Sequence, residues 1–239
     1  MKAKTCTLLL AIFLIGLLTS SKKSKTDDPR FISYIVNPKN INLDFYWKND
    51  KGERFKNAEN LNLWLKTQKR ELVFAVNGGM YKKDNSPQGL YIENKIQKTK
   101  IDNGNGTGNF YLKPNGVFYI TTDKKPSICL TEKFVNSGKI KYATQSGPML
   151  LIDGKIHSSF KENSTNLNIR NGVGILPNNE VIFVMSKKEI NFYDFADYFK
   201  KLGCKNALYL DGFVSRTYLP AKNWKQTDGD FGVIIGVSK

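Results

Sequence analysis

Histidine is almost absent from this chain: His157 is the only one in 239 residues. A Ser-His-Asp arrangement would have to run through it, and no metal site built on several imidazoles can be assembled. The G-x-S-x-G turn that carries the serine of many hydrolases is also missing. Its place just after Asp153-Gly154 marks His157 as a strand-end residue of a hairpin. Cysteine is nearly as scarce. Cys6 lies in an early apolar run, which leaves Cys129 and Cys204, with no C-x-x-C spacing for redox or zinc chemistry. One disulfide and two buried thiols are both compatible with the sequence. Gly104, Gly106 and Gly108 lack the last glycine of a dinucleotide fingerprint, because Asn109 stands there, and no nucleotide cofactor is expected. Acidic residues are few, 21 against 37 Lys and Arg, for a net charge of +16. The lysines are scattered and no recognition motif for nucleic acid is present, so the excess charge points to anions in general.

Long hydrophobic runs are lacking too. The longest, Cys6–Leu18, is thirteen residues, short of the roughly twenty that span a bilayer. Met1-Lys2-Ala3-Lys4 precedes it and Thr19-Ser20-Ser21 follows, the layout of a secretory signal peptide over residues 1–20. The protein is therefore expected to be exported, to the periplasm, cell surface or medium. Membrane contact is expected only through this segment if it stays uncleaved. Residues 21–29 read as a polar flexible leader and residues 30–239 as one domain.

What is present is mostly strand. Short apolar runs at Leu72–Val76, Gly89–Ile92, Phe110–Leu112, Val117–Thr121, Met149–Ile152, Val181–Met185, Ala207–Leu210 and Val233–Val237 alternate with the turn signals Asn115-Gly116, Asp153-Gly154 and Pro177-Asn178-Asn179. Two stretches have helical period. Ala58–Thr67 groups Leu61, Leu63, Trp64 and Leu65, and Phe192 to Leu202 follows an Asn191 N-cap and stops at Gly203. The fold class is α+β: a single domain with a large mixed, mainly antiparallel sheet and a few packed helices.

Three apolar runs break into polar, glycine-rich ends without a hairpin signal: Asn77-Gly78-Gly79, Gln145-Ser146-Gly147-Pro148 and Leu210-Asp211-Gly212. Such ends let backbone approach a bound group, and three of them point to one shared site. Arg170 leads into a further strand, where a guanidinium can clamp a phosphate or carboxylate or form a surface ion pair.

Taken in order, Asn77-Gly78-Gly79-Met80-Tyr81, Gln88-Gly89-Leu90-Tyr91-Ile92-Glu93, Gln145-Ser146-Gly147-Pro148, Arg170-Asn171-Gly172-Val173-Gly174 and Leu210-Asp211-Gly212 resemble the phosphodiester glycosidase family. That family includes a lysosomal enzyme that removes N-acetylglucosamine from a sugar phosphodiester, and many exported bacterial members. The resemblance implies an α+β fold with Asp211, Glu93 and Arg170 as catalytic residues. It further implies a substrate surface of Asn77, Gly78, Gly79, Gln88, Ser146, Gly147, Asn171, Gly212 and Ser215. Phe213 replaces the family's second glycine after Leu-Asp-Gly, and Asn171-Gly172 stand where Thr and Ala are usual, a pattern that looks like the bacterial subgroup.

The leaving group of a sugar phosphodiester is a phosphate monoester, already a weak base. Stabilising its charge therefore matters more than protonating it. Arg170 is expected to hold the phosphate, Asp211 or Glu93 to activate water or attack the anomeric carbon, and Asn77 and Ser146 to orient sugar hydroxyls. The expected substrate is a phosphorylated or anionic envelope glycan. A non-catalytic binder of such glycans is the rival reading. No cofactor is required, although Asp211, Glu93 and Asn77 offer oxygen ligands for a divalent cation.

Overall fold

A computed structural model describes residues 28–239. The expected signal peptide, and the leader up to residue 27, lie outside the described residues. In chain order the elements are β1 (Phe31–Val36), β2 (Leu43–Tyr46), α1 (Ala58–Thr67), β3 (Leu72–Asn77), β4 (Tyr91–Glu93), β5 (Ile96–Thr99), β6 (Gly116–Thr121), β7 (Pro126–Leu130) and β8 (Ile140–Ser146). There follow β9 (Met149–Ile152), β10 (Lys155–Ile156), β11 (Asn171–Ile175), β12 (Val181–Ser186), α2 (Phe192–Lys201), β13 (Ala207–Asp211), β14 (Thr217–Leu219), β15 (Trp224–Lys225) and β16 (Ile234–Ser238).

The strands build three sheets, ordered β1-β12-β11-β13-β9-β10, β15-β14-β3-β16-β2 and β5-β4-β8-β6-β7. The α+β class stands, with the single large sheet divided in three and every described pairing antiparallel. Each sheet contributes one apolar face to a common core, in which Phe45, Phe74, Phe118, Phe183, Leu208 and Ile235 meet. Alternation along each strand makes this possible, since period two sends every second side chain inward. Helix α2 covers the outer face of the first sheet with Phe195 and Phe199, and α1 covers the second with Leu61 and Leu65.

Both helices start on asparagine caps. Asn57 Oδ1 accepts from the Asn60 N–H, and Asn191 Oδ1 from the Asp194 N–H. Each cap is worth about 1 kcal/mol by satisfying an end donor. Gly203 closes α2 at φ +88°, a conformation that favours glycine.

Some local expectations give way. Leu63 does not join Leu61 and Leu65 but is 55% exposed, because two residues along a helix turn the side chain to the far face. Phe110–Leu112 is not a strand: a short 3-10 turn occupies Asn109–Tyr111. Asp153-Gly154 and Asn179 do make tight turns with positive φ. Asn115-Gly116 makes none, since Gly116 opens β6 and pairs with Leu130 and Ser146.

Candidate functional site

Four strand ends meet at one place. Asn77 closes β3, Asp211 closes β13, Ser146 closes β8 and Asn171 opens β11. Asn77 Nδ2 donates to Asp211 Oδ2 at 2.8 Å, while Asn171 Nδ2 donates to the Asn77 backbone carbonyl at 2.8 Å and to its Oδ1 at 3.0 Å. The Arg216 N–H also donates to Asn77 Oδ1. Ser146 Oγ donates to the Leu210 carbonyl, and Thr144 Oγ1 to that of Gly78. Buried polar groups at strand ends must find partners, and here they find one another.

Asp211 is the centre of this network. It is only 8% exposed, and the Gly212 N–H donates to its Oδ1 at 2.7 Å. Burial raises its pKa to about 6, outweighing the Gly212 and Asn77 donors that pull it down. At neutral pH it is a carboxylate, though a reluctant one.

Arg170, fully buried, immediately precedes Asn171, the register partner of Asp211. Its Nε donates to the Ile190 carbonyl at 2.7 Å and one Nη2 bond reaches the Asn166 carbonyl at 2.8 Å. The guanidinium carbon lies 3.5 Å from the Phe192 ring centroid. Among the described residues no carboxylate pairs with it, and its Nη1 closes no hydrogen bond, although the Tyr209 hydroxyl is near enough to raise its pKa. The hydrogen bonds to Ile190 and Asn166 and the cation–π contact offset part of the cost of burying the ion, but none of them supplies a negative charge. Desolvation accordingly lowers its pKa. The surface ion pair is ruled out, and the guanidinium is left one anion short.

The unpartnered buried atoms share this neighbourhood. Among the described residues they are Arg170 Nη1, Tyr209 Oη, Asn171 Oδ1 and Ser215 Oγ, with Trp47 Nε1 and Ser238 Oγ elsewhere. Asn171 is the register partner of Asp211, and the Ser215 N–H donates to the Gly212 carbonyl. A cleft of about 630 Å³ between Asn103, Lys113, Asn115, Leu130 and Glu132 contains none of these groups.

The other expected site residues divide. Gly78 and Gly79 lie at the site: a Cβ on Gly79 would sit 2.9 Å from Thr144 Oγ1, and its φ is +150°. Gly212 lies there too, and a Cβ on it would stand 2.4 Å from Tyr209 Oη. Gly147 is a packing position, hard against Asn115 and the Phe110 carbonyl. Gln88 reaches the loop through its N–H to the Met80 carbonyl. Gln145, fully buried, ties the glycine loop down through Leu90 and Asp102.

Glu93 is not brought to Asp211. Its Oε2 accepts from Tyr91 Oη at 2.6 Å, and the β4–β8 register carries it toward Tyr142, four residues along β8 from Ser146. At about 3.3 Å per residue that is roughly 13 Å away. The cation site of Asp211, Glu93 and Asn77 therefore does not assemble, and Asn77 Oδ1 is already engaged. Phe213 does not plug the site from within, since it is 77% exposed.

His157 and the cysteines lie outside the site. His157 stacks on Phe160, accepts from the Ser159 N–H and reaches the Lys113 carbonyl; burial lowers its pKa. Cys129 and Cys204 are both free, with burial holding their thiols protonated.

Tyr209 was not legible as a site residue, although Leu208-Tyr209-Leu210-Asp211 alternates. Leu208 and Leu210 enter the common core, and Tyr209 packs under α2.

Fold and site define an antiparallel α+β domain with a buried carboxylate at the end of β13 and a buried guanidinium, without a carboxylate partner, at the start of the adjoining β11. Residues 70–237 match the phosphodiester glycosidase family, and the chain belongs to that family. It is 40% identical over 188 residues to the Escherichia coli (strain K12) protein YigE, covering 78% of this chain and 73% of that one. In fold it is similar to the catalytic domain of zebrafish N-acetylglucosamine-1-phosphodiester alpha-N-acetylglucosaminidase. That match has a TM-score of 0.59 at 14% identity and covers 89% of this chain and 84% of that one. It is also similar to a hypothetical protein from Synechocystis, with a TM-score of 0.56 at 13% identity, over 87% of this chain and 59% of that one.

Proposed function

We propose that this protein is an exported glycosidase that hydrolyses the anomeric bond of a sugar-1-phosphodiester in an envelope glycan. The observation that carries this reading is the buried Arg170 guanidinium, with no carboxylate partner and a free Nη1, next to the strand that ends in Asp211. A phosphate supplies the missing negative charge and suits the planar donor fork.

Asp211 then acts alone as the carboxylate. It takes a proton from water as the water adds to the anomeric carbon, or attacks that carbon itself to give a glycosyl ester that water opens in a second step, releasing the sugar and restoring the carboxylate. The anomeric C–O bond breaks and its electron pair leaves on the phosphate, which Arg170 stabilises. With so weakly basic a leaving group no second carboxyl is needed, which agrees with Glu93 lying elsewhere. The net positive charge of the chain favours encounter with anionic glycans.

The test is turnover of a synthetic sugar-1-phosphodiester, followed as free sugar and phosphate monoester in equal amounts. Wild type is expected to release both and Asp211→Asn neither. Saturable binding with no release by wild type would make the protein a glycan binder instead.

A further inference from the structure

We infer that the Tyr209 hydroxyl is a second anion donor of this site, paired with Arg170 Nη1, and that the two receive the non-bridging oxygens of a phosphate. The assignment rests on the phosphodiester reading above and adds a residue that reading does not use.

A bulge separates Tyr209 from Asp211: Tyr209 pairs with Gly172 and Asp211 with Asn171, adjacent residues of β11, so the two side chains leave β13 by opposite faces and the Tyr209 hydroxyl comes to the strand end over Gly212, which has no side chain. The Tyr209 ring is clamped: Phe192 packs edge-on at 4.8 Å between centroids, and the Arg170 guanidinium carbon lies 5.7 Å from the ring centroid. Its hydroxyl is within electrostatic reach of both Arg170 and Asp211. Arg170 and Asn109 lie close enough to act on its pKa as side-chain hydrogen-bond donors, yet no well-formed bond closes to either and the oxygen stays buried. Burial holds the phenol protonated, so it is available to donate.

An unpaired buried hydroxyl costs free energy, and an unpaired guanidinium N–H beside it costs more. Arg170 Nη1 can only donate, and the phenol, which can donate or accept, is free to turn its proton outward, so together they can present two donors to an anionic oxygen pair. The remaining orphans have the opposite character. Asn171 Oδ1 must accept, because its Nδ2 is spent on Asn77, and Ser215 Oγ can do either. The site is therefore polarised, with phosphate toward Arg170 and Tyr209 and sugar hydroxyls toward Asn171 and Ser215.

Gly212 has a specific part in this. The 2.4 Å between its missing Cβ and Tyr209 Oη means that any side chain there displaces the hydroxyl.

The test uses the full chain with Tyr209→Phe and, separately, Gly212→Ala. Calorimetry measures Kd for inorganic phosphate, for a sugar 1-phosphate and for the neutral free sugar, and each variant is melted without ligand. Tyr209→Phe is expected to melt at or above the wild-type temperature, because an unsatisfied hydroxyl is gone. It should bind phosphate and the sugar 1-phosphate about tenfold or more weakly, with the neutral sugar unchanged. Gly212→Ala is expected to weaken phosphate binding in the same direction, with no further loss when combined with Tyr209→Phe. Wild-type phosphate affinity in Tyr209→Phe overturns the assignment, as does equal weakening for the neutral sugar. If wild type itself binds neither phosphate nor the sugar 1-phosphate, the phosphodiester reading fails and this assignment with it.

Discussion

Two polar clusters, one half-buried around Tyr142 and one buried around Asp211, are built to opposite rules. Around Tyr142, bonds close on themselves: its hydroxyl lies 3.0 Å from Asp44 Oδ1 and 2.7 Å from Asn94 Oδ1, Arg70 pairs with Asp44, and Tyr91 donates to Glu93. Around Asp211, the carboxylate and Asn77 are satisfied, but Arg170, Tyr209, Asn171 and Ser215 each keep an atom with nothing to bond. A closed network stabilises the fold by holding strands in register. An open one costs stability in the empty protein and recovers it on binding. The difference separates Glu93, held in the closed network, from Asp211, the carboxylate of the open one and the one we propose for the chemistry, though both stand on motifs of the same family.

The sharpest way to break this contrast is to neutralise each carboxylate in turn. Asp211→Asn is expected to lower kcat on a sugar-1-phosphodiester by roughly 10³-fold, while Glu93→Gln keeps it within a few-fold of wild type. Equal losses in steady-state assays would put Glu93 back in the chemistry. Next in size is the stability contrast. Tyr142→Phe should cost about 1–2 kcal/mol in urea titration, because it strips a closed network of its donor. Ser215→Ala should cost none, since its hydroxyl has no partner to lose.

The pH dependence follows from Asp211, whose folded pKa, about 6, lies above its ordinary 3.8. Between these values the folded state holds more protons than the unfolded one. Its contribution to stability is complete below pH 3.8 and lost as pH rises through 6. Wild-type melting temperature should thus fall from pH 4 to pH 7 more steeply than that of Asp211→Asn. Over the same range kcat/KM should rise through pH 6 as the carboxylate forms. The smallest effect belongs to His157, whose folded pKa is lowered. Its contribution is present above its ordinary pKa of 6.5 and lost as pH falls through the lower folded one. A shallow acid-side fall in melting temperature, absent in His157→Gln, would register it.

The sequence announces elements better than their neighbours. Helix α1 runs over Ala58–Thr67, the span its period marks, and Asn191 and Gly203 bracket α2 because caps are chosen locally. Asn77, Ser146, Asn171 and Asp211 stand out because each interrupts or adjoins an apolar strand. Glu93 misleads for the same reason. It ends a strand next to a turn, but only cross-strand register decides which end of the sheet it reaches, and register is a property of pairings far apart in sequence. Tyr209 is hidden by an apolar run in which an aromatic looks like core. The aromatic is core, except for one oxygen.

Strand β16, residues 234–238, lies between β2 and β3 and hydrogen-bonds to both. Partners nearly two hundred positions apart in the chain must find one another before that sheet closes, and the Asn77–Asp211 bond spans 134 positions more locally built proteins never have to bridge. Such long-range closure is slow, and until residue 234 has emerged β2 and β3 present two bare edges to any other chain. The order of synthesis thus leaves this sheet, and with it the Asn77–Asp211 contact, to be completed late. A chaperone that shields those edges would raise the yield of active molecules without touching the site.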